Sequence, residues 1–80
     1  MKLPRDLNGR ELADALGTLG YRVVRQTGSH IRLTTHENGE HHVVVPDHRP
    51  LKIGTLSAIL SSVERHFEIS RNELLKRLFQ

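Results

Sequence analysis

The pair Asn38-Gly39 constrains this chain most, because it separates two runs that are reconciled only as the arms of a hairpin. Asparagine and glycine tolerate the positive φ that a tight strand reversal demands. Before the pair, Ser29-His30-Ile31-Arg32-Leu33-Thr34-Thr35 alternates apolar and polar residues with the period of a half-buried strand. Ile31 and Leu33 should therefore face one way, and His30, Arg32 and Thr34 the other. After the pair, His41 to Val45 reads as the partner strand, stopped by Pro46. Upstream, Tyr21-Arg22-Val23-Val24-Arg25-Gln26 is rich in β-formers and is broken by Thr27-Gly28, which adds a third antiparallel strand.

The flanks are helical. Asn8 is a good N-cap, and Glu11 three residues later completes a capping box. Leu12, Ala15, Leu16 and Leu19 recur at helical spacing, and Gly20 supplies a left-handed end, so a helix is predicted over residues 9–19. Asp47-His48-Arg49-Pro50 is a loop. A second helix starts at Gly54, with Leu56, Ile59, Leu60 and Val63 on one face. Ser70 and Glu73 form a second capping box ahead of a short third helix that carries Leu74, Leu75 and Leu78.

Helix, three strands, helix, helix is the order of an α+β domain with its helices on one face of an antiparallel sheet. The other face is left to solvent, and on this register it holds His30 beside Arg32. Eighty residues make a single domain with a limited core. That core is expected over about residues 9–66, with residues 70–79 as an extra C-terminal helix. The absence of cysteine excludes a disulfide, a thiolate metal site and a cysteine nucleophile, and it fits a reducing cytoplasm. The chain starts without the long apolar run of a signal peptide, and no stretch is long enough to span a bilayer. A membrane is therefore not expected as a partner.

The net charge is only +3, but its distribution is uneven. Between Tyr21 and Thr35 lie Arg22, Arg25 and Arg32 and no acid, while the remainder balances nine basic against nine acidic residues. A basic strip in a near-neutral chain points to a polyanion, with RNA or DNA ahead of membrane; a solvated strand face is the plainer alternative.

Gly28-Ser29-His30 is the first place where chemistry could sit. Glycine permits a tight turn and close approach of backbone, serine offers a hydroxyl and a backbone N–H to a phosphate oxygen, and histidine titrates near neutrality. RNA cleavage without a metal needs a base for the 2′-OH, an acid for the leaving oxygen and cations for the phosphate. Arg25 and Arg32 flank the turn and could supply the positive charge. By itself the tripeptide reads more simply as a turn with an exposed histidine. At Lys52-Ile53-Gly54-Thr55, a helix start with a lysine beside it could likewise hold a phosphate, or could be an ordinary helix entry. Of the six histidines, His41 and His42 point to opposite faces of a strand, and only His36 lies across the hairpin from His41. No cysteine or close carboxylate completes a tetrahedral set, so no metal site is expected. Dinucleotide and P-loop glycine motifs are absent, and with Tyr21, Phe67 and Phe79 as its aromatics the chain has no stacking platform for single strands.

Taken in order, Leu19-Gly20-Tyr21, Val24-Arg25-Gln26-Thr27-Gly28-Ser29-His30, Val43-Val44-Val45-Pro46, a loop with His48, and Leu51-Lys52-Ile53-Gly54-Thr55-Leu56-Ser57-Ala58-Ile59-Leu60 resemble HicA-type toxins. These are the mRNA-cleaving members of bacterial HicA–HicB toxin–antitoxin pairs. The resemblance covers about residues 9–60. It implies a double-stranded-RNA-binding-domain-like fold, helix–three strands–helix, to which the C-terminal helix is an addition. It also implies an endoribonuclease with His30 as catalytic residue, no required metal or cofactor, mRNA as substrate and inhibition by a HicB-type antitoxin. The residues expected at the RNA are Arg22, Arg25, Gly28, Ser29, Arg32 and Lys52. A non-catalytic RNA-binding module of the same fold would use the same basic strip without needing His30.

Overall fold

The computed structural model describes residues 3–4 and 6–80. Helix α1 (Gly9–Leu16) opens on the expected capping box. Asn8 Oδ1 accepts the Glu11 N–H at 2.8 Å, and Glu11 Oε1 accepts the Asn8 N–H at 3.0 Å. The helix expected over residues 9–19 is α-helical only to Leu16; Gly17–Leu19 tightens into a 3-10 turn. Two glycines explain the difference. Gly17 weakens helical continuation, and Gly20 takes the left-handed conformation (φ 82°) that ends it, donating to Gly17 O at 3.1 Å. Packing survives the tighter winding, since Leu12, Leu16 and Leu19 all stay buried.

Strands β1 (Arg22–Thr27), β2 (His30–Thr35) and β3 (His41–Pro46) form one antiparallel sheet in the order β1-β2-β3. Thr27 pairs with His30 across the two-residue turn Gly28-Ser29, with Gly28 at φ 56°. The second reversal places Asn38 and Gly39 at φ 57° and 97°, as the hairpin reading requires. The predicted parity holds. Ile31 and Leu33 on β2 and Val43 and Val45 on β3 are buried, while Arg32 and its cross-strand partner Val44 are exposed.

Helix α2 (Ile53–Phe67) begins one residue before the expected Gly54, with Lys52 as an N-cap that makes no side-chain cap bond. Helices α1 and α2 lie over the β3 side of the sheet, so β1 projects past them and all six of its residues are exposed. Helix α3 (Arg71–Phe79) packs against α1, the 3-10 turn and α2. Ser70 caps it by accepting the Glu73 N–H at 3.1 Å. The Glu73 carboxylate is engaged by Arg77 Nε at 3.1 Å, so the expected second capping box is present in its Ser70 half. Arg71 then ties α3 to α2 through the Glu64 carboxylate, Ser57 O at 3.3 Å and Ser61 Oγ at 3.0 Å. No helix among the described residues is long and apolar enough to cross a membrane.

Candidate functional site

Arg22 and Arg25 are three residues apart, and strict strand alternation would send them to opposite faces of the sheet. They share a face because β1 carries a bulge. Val23 pairs with Leu33 and Arg25 with Arg32, which leaves Val24 as the extra residue. Arg22 consequently lies opposite Thr34, and Arg25 directly opposite Arg32, on the open face. Sequence parity found Arg32 and His30 there; it had no signal for the bulge that adds Arg25.

None of these three arginines makes an ion pair or side-chain hydrogen bond among the described residues. Arg10, Arg77 and Arg71 are matched, to Asp47 at 3.7 Å, to Glu73 at 3.1 Å and to Glu64, whereas the strip gathers three unpaired guanidiniums on one sheet face. Like charges directly opposite one another destabilise a strand pair. The Arg25–Arg32 pairing therefore costs the isolated fold some stability, and an anion laid across it would relieve that repulsion.

The histidines divide in a comparable way. His41 turns inward, where Tyr21 Oη lies 2.7 Å from Nδ1 and Ser62 Oγ 3.1 Å from Nε2, and it stacks on His66 at 4.5 Å. His66 Nε2 lies 2.9 Å from Glu37 O. His42, on the outer side, shares a 2.7 Å hydrogen bond with Thr34 Oγ1 and sits 3.1 Å from Glu40. His36 faces Glu40 at 3.8 Å. His41 therefore faces inward and His36 outward, although the two lie across the hairpin from each other. No group of three or more possible ligands is assembled among the described residues. His30 and His48 are the two imidazoles with no side-chain partner among the described residues, and both are exposed.

His30 stands at the start of β2, in register with Thr27 on one side and Pro46 on the other. The positive φ at Gly28 is one an L side chain rarely adopts, and the space where its Cβ would stand is open. The Ser29 carbonyl is already occupied: it accepts the Asp47 N–H at 2.6 Å, which ties the turn to the loop carrying His48. That loop is held in turn by Gly9 N–H on His48 O at 3.0 Å and by Leu51 N–H on Leu7 O at 2.8 Å. Lys52 enters at the same end of the sheet. The other end of α2 is marked by His66 against the β2–β3 reversal, so the N-terminus of α2 lies at the His30 end. Arg22 is the predicted site residue that stands apart, four β2 residues away from His30.

Inward-facing His41 carries a pH dependence of its own. Burial pushes His41 below its ordinary value of 6.5, and neighbouring His66, His42 and Arg65 push the same way. Burial also lifts the Tyr21 hydroxyl to about 12, so it remains protonated across the relevant range. A histidine that resists protonation when folded binds more protons in the unfolded chain, and stability falls as pH drops below 6.5. Thermal melts should show a lower Tm at pH 5.5 than at pH 7.5, and the difference should shrink in His41→Gln. A wild-type Tm that does not move between these pH values would remove His41 from the stability account.

The family model for the HicA toxin of bacterial toxin–antitoxin systems matches residues 9–64, from the first residue of α1 almost to the end of α2. No curated protein and no solved structure matches.

Proposed function

The chain belongs to the HicA toxin family of bacterial toxin–antitoxin systems, and on that premise we propose that it is an endoribonuclease that cuts mRNA on its open sheet face, with His30 as the catalytic histidine. The observation that carries the reading is the register: unpaired Arg25 opposite unpaired Arg32, with His30 two residues further along the same face of β2. Two guanidiniums can hold the phosphate and the charge that builds on it, while an imidazole takes the 2′-OH proton or delivers one to the leaving oxygen.

Such a transfer needs two proton carriers. His48 follows the residue whose N–H is bound to Ser29 O, so it is the second exposed imidazole at this end and the candidate partner of His30. Gly28 lets the RNA backbone come close, Ser29 can offer its hydroxyl, and Lys52 with the first N–H groups of α2 can meet a neighbouring phosphate. A toxin of this kind works against an antitoxin partner; a HicB-type protein that covers the open face fits that role. The cytoplasm, where mRNA and a protein antitoxin meet, is the compartment this reading requires.

Induction of the chain in a bacterium should arrest growth and leave mRNA cleaved, and co-expression of a HicB-type antitoxin should relieve both. Continued growth with intact mRNA would contradict the reading. Binding can be measured apart from cleavage with His30→Ala protein and a labelled RNA across a salt series. Arg25→Gln and Arg32→Gln should each weaken binding and flatten the log–log salt slope by about 1, because each removes a phosphate contact. A slope unchanged in the double variant would take both arginines off the RNA.

A further inference from the structure

At the end of the open face away from His30, Gly20, Arg22, Val24, Thr34, His36 and Glu37 line a cavity of about 400 Å³. That volume lies within the range of small-molecule sites. Its walls are chemically mixed. Arg22 and the Glu37 carboxylate each lack a side-chain partner among the described residues. Val24, 58% exposed, is the extra residue of the β1 bulge and gives the cavity an apolar wall. Thr34 is buried, with its hydroxyl already bonded to His42. A side chain at Gly20 would run into the Glu37 carboxylate and the Thr35 hydroxyl, so glycine keeps this wall low.

A bare phosphate here would meet Arg22 but be repelled by Glu37. A bare base would meet Val24 and Glu37 but leave Arg22 idle. A nucleotide uses all three. We propose that this cavity is a nucleotide subsite for the RNA strand, with Arg22 on the phosphate, Val24 against the base and Glu37 on the base's N–H edge. A carboxylate only accepts hydrogen bonds. Guanine offers it two adjacent donors, N1–H and N2–H, whereas uracil flanks its single N–H with carbonyl oxygens. The subsite therefore favours guanine. Four residues of β2, about 13 Å at strand rise, separate it from His30, a span that a strand of a few nucleotides bridges.

The inference rests on the RNA reading above, but it can be tested separately. Titrations of the wild-type protein with GMP and with UMP, followed by amide NMR shifts, should move Gly20, Thr34 and Glu37, with GMP about tenfold tighter than UMP. Glu37→Gln should bring the two within about twofold. Shifts that avoid the cavity, or a guanine preference that persists in Glu37→Gln, would overturn the subsite. RNA cleavage by the same wild-type sample is read alongside. GMP bound at the cavity without RNA cleavage would sink the nuclease reading alone, and RNA cleavage with no shifts at the cavity would sink the subsite alone.

Discussion

His30→Ala should lower RNA cleavage by roughly 10²–10⁴-fold, the usual worth of a positioned general acid or base. Growth arrest on induction should vanish with it. The fold should not notice the change. His30 is exposed, and its side chain makes no hydrogen bond or ion pair among the described residues, so truncation opens no cavity and orphans no partner. Surface substitutions of this type typically stay within about 0.5 kcal/mol. The expected combination is an unchanged melting curve, RNA binding held by Arg25 and Arg32, and cleavage reduced by roughly 10²–10⁴-fold. A well-folded His30→Ala protein that still cuts RNA and still arrests growth would remove His30 from the mechanism.

Loss of α3 should have the largest effect on stability. Leu74 and Leu75 are fully buried and Leu78 nearly so, all within the single core cluster that also holds Leu12, Leu16 and Leu60. Thr18 Oγ1 donates to Arg77 O at 3.2 Å from the 3-10 turn, and Arg71 clamps the start of α3 to α2. A buried Leu→Ala change costs about 2–5 kcal/mol. A domain of this size has on the order of 4–12 kcal/mol to lose. Leu75→Ala should therefore lower Tm steeply, and deletion of residues 70–80 should abolish the cooperative thermal transition seen by circular dichroism. A deleted chain that melts cooperatively near the wild-type temperature would make α3 an ornament on a self-sufficient core.

The contrast between these two positions shows what was legible in the sequence. Period-2 alternation placed His30 and Arg32 on one face, because side-chain direction along a strand is a matter of counting. The same counting separates Arg22 from Arg25, and it fails there because a bulge inserts a residue without leaving a compositional mark. Asn8, Asn38-Gly39 and Ser70 were readable because caps and turns are local chemistry. The 3-10 turn at Gly17–Leu19 was not, since the apolar spacing of Leu16 and Leu19 suits either winding. Residues 70–79 read as an addition, for the resemblance stops at about Leu60 and the family match at Glu64. Yet Leu74 and Leu75 are as deeply buried as any residue of α1. Their burial is decided by contacts with α1 and α2, which no local pattern encodes. The inward stack of His41 on His66 joins residues twenty-five positions apart in the chain and is equally invisible to spacing.

For the candidate site, the sequence delivered the histidine and the charge but not their isolation. That Arg22, Arg25 and Arg32 gather unpaired on one open sheet face is a property of the folded surface. So is the division of the histidines into four with partners and two, His30 and His48, without side-chain partners among the described residues.

The most direct test is incubation of the purified protein with a labelled RNA in EDTA, with products resolved by length and end group. Attack by the 2′-OH predicts discrete fragments ending in 2′,3′-cyclic phosphate, and no cut where the attacking 2′-OH is replaced by hydrogen. RNA that is bound, in a salt-sensitive manner, but stays intact would contradict the account and leave a binding module in its place.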